Sequence, residues 1–188
     1  MTTSLTISKP VRRLSVRTQT LAGASALIGA VALPQIFHML GRISGLGNVP
    51  GEVFLPMHLP IILVGLLAGS YAGAVAGLLS PLVSFLLSGM PGTAMLPFMM
   101  LELCVYGLTA GLLRSTKIPV IGRVLIIQVA GRAVRAVAII AAFYLLGSRS
   151  IAPAVIWNSI VTGVCGIVMQ WILIPLIIYR VEHEENEK

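Results

Sequence analysis

The feature of this sequence that most constrains its fold is a series of continuous apolar runs, each close to 20 residues long. A run of about 20 apolar residues forms a helix that crosses the hydrocarbon core of a bilayer, which is roughly 30 Å thick. The chain is 57% hydrophobic and only 10% charged, whereas a soluble domain carries roughly 25% charged residues. The sequence therefore predicts a membrane-spanning protein.

The apolar runs predict an all-α membrane protein with six transmembrane helices. The runs are continuously apolar and lack the two-residue alternation that marks the strands of membrane barrels. Glycine, proline and polar residues separate them. The predicted spans are residues 18–40, 53–69, 72–89, 93–114, 120–146 and 152–179. The second and third spans are short, and a broken or re-entrant path is an alternative for them.

Lysine and arginine near the span ends predict the orientation, because they concentrate on the cytoplasmic side. With the N-terminus inside, only Arg42 and Arg149 fall on the outer side. We therefore expect cytoplasmic segments at 1–17 and 181–188 and one transmembrane domain over 18–180. Nine basic residues fall on the inner side, namely Lys9, Arg12, Arg13, Arg17, Arg114, Lys117, Arg123, Arg180 and Lys188.

Several function classes are disfavoured by the residues that the chain contains. The net charge is +7, but the basic residues flank apolar runs, so they indicate topology rather than nucleic-acid binding. Cys104 and Cys165 lie inside apolar runs without metal-ligand spacing. The chain has no Asp and no phosphate-binding loop of the GxxxxGK[ST] type. We predict no metal, no cofactor and no enzymatic activity.

Three charged residues lie inside the predicted spans, where charge is costly and marks function. Glu102 lies near the middle of the fourth span, and Arg132 and Arg135 near the middle of the fifth. At 1.5 Å per residue their depths agree within about 6 Å, so Glu102 can pair with either arginine. The pair could serve only to fix two helices. Alternatively, one arginine could stay free for a ligand carboxylate or phosphate.

A second group of polar and aromatic residues lies nearer the predicted outer surface. Tyr106 is added to this group; it lies one helical turn after Glu102, on the same helix face. Together these side chains could line a pocket that opens outward. Trp157 could instead be an interfacial anchor, and each histidine could satisfy a loop carbonyl. The members of the group are Gln35, His38, His58, Trp157 and Asn158.

Small residues recur every four positions in two places, a spacing that lets helices approach closely. In the first span the spacing fits packing within this protein or a docking face for another membrane subunit. In the second place it crosses a probable turn and predicts a tightly packed hairpin. The two sets are Ala22, Ala26 and Ala30, and Gly65, Gly69, Gly73 and Gly77.

The segment from Phe54 to Leu113 resembles the substrate-binding S component of energy-coupling factor (ECF) transporters, which import vitamins into bacteria and archaea. The similarity is carried by FLPMHLPIILVG at 54–65, GAVAGLLSPL at 73–82, GMP at 89–91, LPFMMLEL at 96–103, YGL at 106–108 and GLL at 111–113. The length and the six spans also agree with that family.

The resemblance implies a multi-pass protein of the prokaryotic cell membrane that captures a vitamin or precursor from outside. It implies partners: a transmembrane coupling subunit, contacted through Ala22, Ala26 and Ala30, and two ATPase subunits. Loops at about 41–56 and 88–97 would close over the ligand. The pocket would include Glu102, Tyr106, Arg135 and Asn158. A buried arginine favours a carboxylate ligand such as pantothenate, and other vitamins remain as alternative ligands. The competing hypothesis is a self-sufficient secondary transporter.

Overall fold

The computed structural model describes residues 15–186, with side chains as far as residue 181. The predicted N-terminal segment lies largely outside the described residues, as do Lys9, Arg12, Arg13 and Lys188. Within the described residues the chain is helical and contains no strand. The helices are α1 (Val16–Ile43), α2 (Val49–Phe54), α3 (His58–Ala68), α4 (Ser70–Ser88), α5 (Leu96–Leu113), α6 (Val120–Tyr144), α7 (Ala154–Thr162) and α8 (Val164–Asn186).

Six segments of the described chain are long and apolar enough to cross a membrane, so the predicted fold class is confirmed. Large apolar side chains such as Leu21, Ile28 and Leu86 are exposed on the outside of the bundle. Lipid tails are a favourable solvent for such side chains, and water is not. The segments are Val16–Ile43, Val49–Ala68, Ser70–Ser88, Leu96–Leu113, Val120–Tyr144 and Val164–Val181.

The second span is broken into α2 and α3, which was the alternative to the continuous helix predicted over 53–69. The break is at Leu55, which has a left-handed backbone with φ 48°. Pro56 follows it, and a proline disfavours the helical conformation of the residue before it. Pro60 lies in the first turn of α3, where the backbone N–H groups have no partner within the helix, so a proline there loses no hydrogen bond.

The sixth span is also broken, so the continuous helix predicted over 152–179 is wrong. The chain forms α7 and α8, which meet at Gly163. A Cβ at Gly163 would lie 2.8 Å from Cδ1 of Leu55 and 2.9 Å from the carbonyl oxygen of Ser159. The glycine therefore admits the Leu55 side chain at the joint, which brings the two broken spans together.

Helix α5 packs closely against α3 and α4, and glycines make this possible. A Cβ at Gly107 would overlap the backbone of Gly73, and one at Gly77 would overlap the backbone of Leu103. On α3, a Cβ at Gly65 would lie 2.5 Å from that of Ala110. The glycine spacing thus packs α3 and α4 against α5, whereas the sequence predicted contact within the hairpin itself.

The turn of this hairpin is made by Gly69, with φ 115°. Few residues other than glycine adopt that conformation, which explains why the second position of the series is a glycine. The turn carries α3 directly into α4 and leaves both beside α5.

We expect Gly107→Ala to lower the midpoint of thermal unfolding in mild detergent, because the added methyl group meets backbone that cannot move aside. Overpacking of this kind costs about 1–3 kcal/mol. Gly29→Ala is the matched control, since its Cβ would lie 3.7 Å from the Pro60 ring, an ordinary contact. Equal midpoints for the two variants would contradict the close α4–α5 contact.

Candidate functional site

A cavity of about 440 Å³ lies at one end of the bundle. It is bounded by the second half of α1, the α2–α3 break, the connection from α4 to α5, α6 and α7. Ligand sites for small molecules are of this order, about 300–1,000 Å³. We call it the end cavity.

Four of the eight predicted substrate-binding residues line the end cavity. They come from four different helices, so the fold brings together groups that are far apart in the chain. Glu102 and Tyr106 do not line it but lie directly behind its wall, fully buried. The four lining residues are His38, His58, Arg135 and Asn158.

Glu102 pairs with Arg135 and not with Arg132, the two partners between which the sequence did not decide. Arg135 Nη1 donates to Glu102 Oε2 at 2.7 Å, and the Tyr106 hydroxyl donates to Oε1 at 3.2 Å. Arg135 Nη2 donates to Ser159 Oγ, and the Ser159 hydroxyl donates to the Ile156 carbonyl at 3.0 Å. The network joins α5, α6 and α7, and it neutralises two charges that would otherwise be buried alone.

Gly131 on α6 makes the space for Tyr106. A Cβ at this position would overlap the Tyr106 ring. The other side of the ring meets His58 edge-on, with centroids 5.4 Å apart. A continuous row therefore runs from His58 on α3 through Tyr106 and Glu102 to Arg135.

The two histidines that line the end cavity differ in how their buried Nδ1 atoms are paired. His38 Nδ1 has no hydrogen-bond partner among the described residues, whereas the backbone of Leu55 lies within hydrogen-bonding reach of the His58 imidazole. An unpaired buried polar atom costs roughly 1–3 kcal/mol unless something supplies its partner. Gly51 lies against His38, where a Cβ would be 2.8 Å from Cε1, so α2 holds that imidazole in place.

Two connecting segments line the end cavity, and they overlap the two loops that the family resemblance implied. One contains α2 and the break after it, the other the α4–α5 connection. The cavity wall also includes residues that sequence reasoning missed. These residues are Ser159, Met95 and Met99. Ser159 could have been noticed as a hydroxyl inside the sixth apolar run, and the two methionines as adaptable side chains one turn apart, which suit the wall of a binding site.

Three residues of the predicted pocket lie elsewhere. Trp157 is 68% exposed on the outside of α7. Gln35 donates to Ser88 at 3.0 Å, which ties α1 to α4. Arg132 faces a second cavity on the side of the bundle.

The three alanines predicted to dock a partner lie on the face of α1 that meets the bundle. Ala30 is fully buried, while Ala22 and Ala26 are partly buried and pack against the core. Packing within this protein, one of the two interpretations of their spacing, therefore describes Ala30. Ala22 and Ala26 keep some exposed surface.

Comparison with known proteins gives one finding. A family model, described as the substrate-specific component of ECF transporters, matches residues 18–178. No curated protein and no solved structure matches the chain.

We expect Arg135→Gln to destabilise the protein strongly, because it leaves the Glu102 carboxylate buried without its partner. Breaking one side of a buried pair costs about 3–5 kcal/mol. The double variant Glu102→Gln/Arg135→Gln should regain most of that loss, as a double-mutant cycle of unfolding free energies in detergent would measure. Arg149→Gln, at an exposed loop position, is the charge-matched control. Additive losses in the double variant would show that the pair contributes no coupling.

Proposed function

We propose that the end cavity is the substrate site of this chain, which belongs to the family of substrate-specific components of ECF transporters. Members of this family bind the substrate that is transported and are not enzymes. Six spans and this family make the chain a multi-pass protein of the cell membrane. The substrate we propose is a small water-soluble vitamin or vitamin precursor.

The convergence of polar groups from four helices in one cavity carries this proposal. His38 has a buried Nδ1 without a partner among the described residues, and the His58 imidazole and the Asn158 amide line the same cavity. Arg135 contributes N–H donors, but its charge is balanced by Glu102. The site is therefore suited to a ligand with several hydrogen-bonding groups. A pantothenate-like molecule, with hydroxyl, amide and carboxylate groups, meets that description.

The direction of uptake follows from the orientation that the basic residues predict. With both termini in the cytoplasm, the end cavity lies in the outer half of the membrane and faces the outside. The two connecting segments, α2 with its break and the α4–α5 connection, are then lids that a ligand passes on entry.

The proposed partners are a transmembrane coupling subunit and two ATPase subunits. The chain contains no phosphate-binding loop of its own, so ATP-driven uptake needs subunits that have one. We place the contact with the coupling subunit on α1 at Ala22 and Ala26, which pack against the core but keep some exposed surface, because small side chains at this spacing let a second helix approach closely.

The first test is a ligand screen on the protein purified in mild detergent. We expect one member of a panel of water-soluble vitamins and precursors to raise the unfolding midpoint, because a ligand of the folded state stabilises it by mass action. Native mass spectrometry should show the same compound bound. Asn158→Ala should weaken it about tenfold, a loss of about 1.4 kcal/mol. Trp157→Phe, outside the cavity, should bind normally.

If folded protein binds no compound of the panel, the proposal of a vitamin substrate is contradicted. If Asn158→Ala leaves binding unchanged, the substrate site lies elsewhere. The secondary-transporter hypothesis is tested separately in vesicles. Uptake that needs no ATPase subunits would support it over the proposed function.

We expect Ala26→Leu to weaken association with a coupling subunit while ligand binding is kept, because the larger side chain holds a second helix away. Co-purification from membranes that contain both proteins measures the association. Ala24→Leu, on an exposed side of the same helix, is the matched control and should associate normally. Equal recovery of partner by both variants would contradict the docking role of Ala26.

A further inference from the structure

A second cavity, of about 390 Å³, lies between α6, α7 and α8. Its walls are largely apolar. Val129 and Trp171 belong to them and are exposed on the outside of the bundle, so the cavity opens sideways. We call it the lateral cavity. Arg135 separates it from the end cavity, since that residue lines both.

Arg132 lines the lateral cavity and has no counter-charge there. Its Nε and Nη1 atoms are buried, and the described residues give neither a hydrogen-bond partner. The carboxylate of Glu102 is already bound by Arg135 and Tyr106. A cation without a partner inside a membrane span is costly, so this side chain is a functional-site candidate.

Gln128, one turn from Arg132 on α6, bonds to polar groups of α8 instead, and of this cluster Gln170 Nε2 has no partner among the described residues. Gln128 Nε2 donates to Gln170 Oε1 at 2.9 Å, and Trp171 Nε1 donates to Gln128 Oε1 at 2.7 Å. This cluster joins α6 to α8 and forms one wall of the lateral cavity. Neither amide oxygen accepts from Arg132, so an acceptor for its Nε and Nη1 atoms is missing among the described residues and can be supplied by a ligand.

The depth of Arg132 limits what that ligand can be. The residue stands at the midpoint of α6 (Val120–Tyr144), which is about 18 Å from either end at 1.5 Å per residue. Phospholipid headgroups lie outside the hydrocarbon core, about 15 Å from its centre. A carboxylic acid differs, because burial neutralises it by protonation. It can reach the centre of the bilayer uncharged and ionise beside the guanidinium.

We propose that the lateral cavity binds a single-chain carboxylic acid of the fatty-acid type. The carboxylate would pair with Arg132, whose planar fork matches two carboxylate oxygens. The alkyl chain would lie along the apolar wall of Leu125, Val129 and Ile167. On α6 the lining residues run from Leu125 to Ala136, about 16 Å along the helix axis. This site is distinct from the substrate site and does not depend on the function proposed for it.

The test uses delipidated full-length protein in mild detergent with oleic acid as the probe. We expect oleic acid to raise the unfolding midpoint of the wild type and to be retained in native mass spectra. Arg132→Gln should weaken binding at least tenfold, and Arg149→Gln, with the same charge change at an exposed loop, should not. Oleyl alcohol and methyl oleate, which have the chain without the anion, should bind at least tenfold more weakly than oleic acid.

Two further measurements keep the proposal falsifiable if one variant folds poorly. Without ligand, Arg132→Gln should unfold no earlier than the wild type, because no partner is lost. Ala133→Trp, which narrows the lateral cavity and keeps the cation, should also lose oleic acid.

Oleic acid binding that survives both Arg132→Gln and Ala133→Trp would overturn the site. Arg132→Gln as unstable as Arg135→Gln would overturn it too, since Arg132 would then have a partner within the chain. Phosphatidylglycerol that displaces oleic acid in an Arg132-dependent manner would assign the cavity to a phospholipid instead.

Discussion

The ion pair between Glu102 and Arg135 is the interaction on which the rest of this bundle depends. Glu102 has no exposed surface and Arg135 keeps 8%, so each charge is tolerable only because the other is present. The pair fixes the position of α6 along α5. Its remaining hydrogen bonds reach Tyr106 within α5 and Ser159 on α7. One buried contact therefore sets three helices and one wall of the end cavity.

The same pair divides the polar groups of the membrane interior into two kinds. Those inside the network are satisfied and contribute stability. Those beside it include His38 Nδ1 and the Nε and Nη1 atoms of Arg132, which have no partner among the described residues. These two residues line the two cavities, whereas Gln170 Nε2, which also has no partner there, lies in the packed core. That distribution is what a binding protein requires, because the ligand completes hydrogen bonds that the fold leaves open.

The spans and the charge pair could be predicted from the sequence because apolar length and charge depth are local properties. The sequence could not predict that Glu102 pairs with Arg135 and not with Arg132, because the two arginines lie three residues apart. The pairing depends on how α5 and α6 pack, which only the folded structure shows. The shortness of the second span left a broken path as an alternative. Gly163 gave no such signal, because glycine is frequent in membrane helices and only its contact with Leu55 identifies the joint.

The contact between Gly73 and Gly107 has a consequence for how this protein can move. Backbones in direct contact have no side chains between them that could change rotamer and let one helix slide past the other. Helices α4 and α5 therefore act as a single rigid body, to which α6 is attached by the ion pair. A change in the shape of the end cavity therefore has to come from the elements around this rigid body, and not from sliding of α4 along α5.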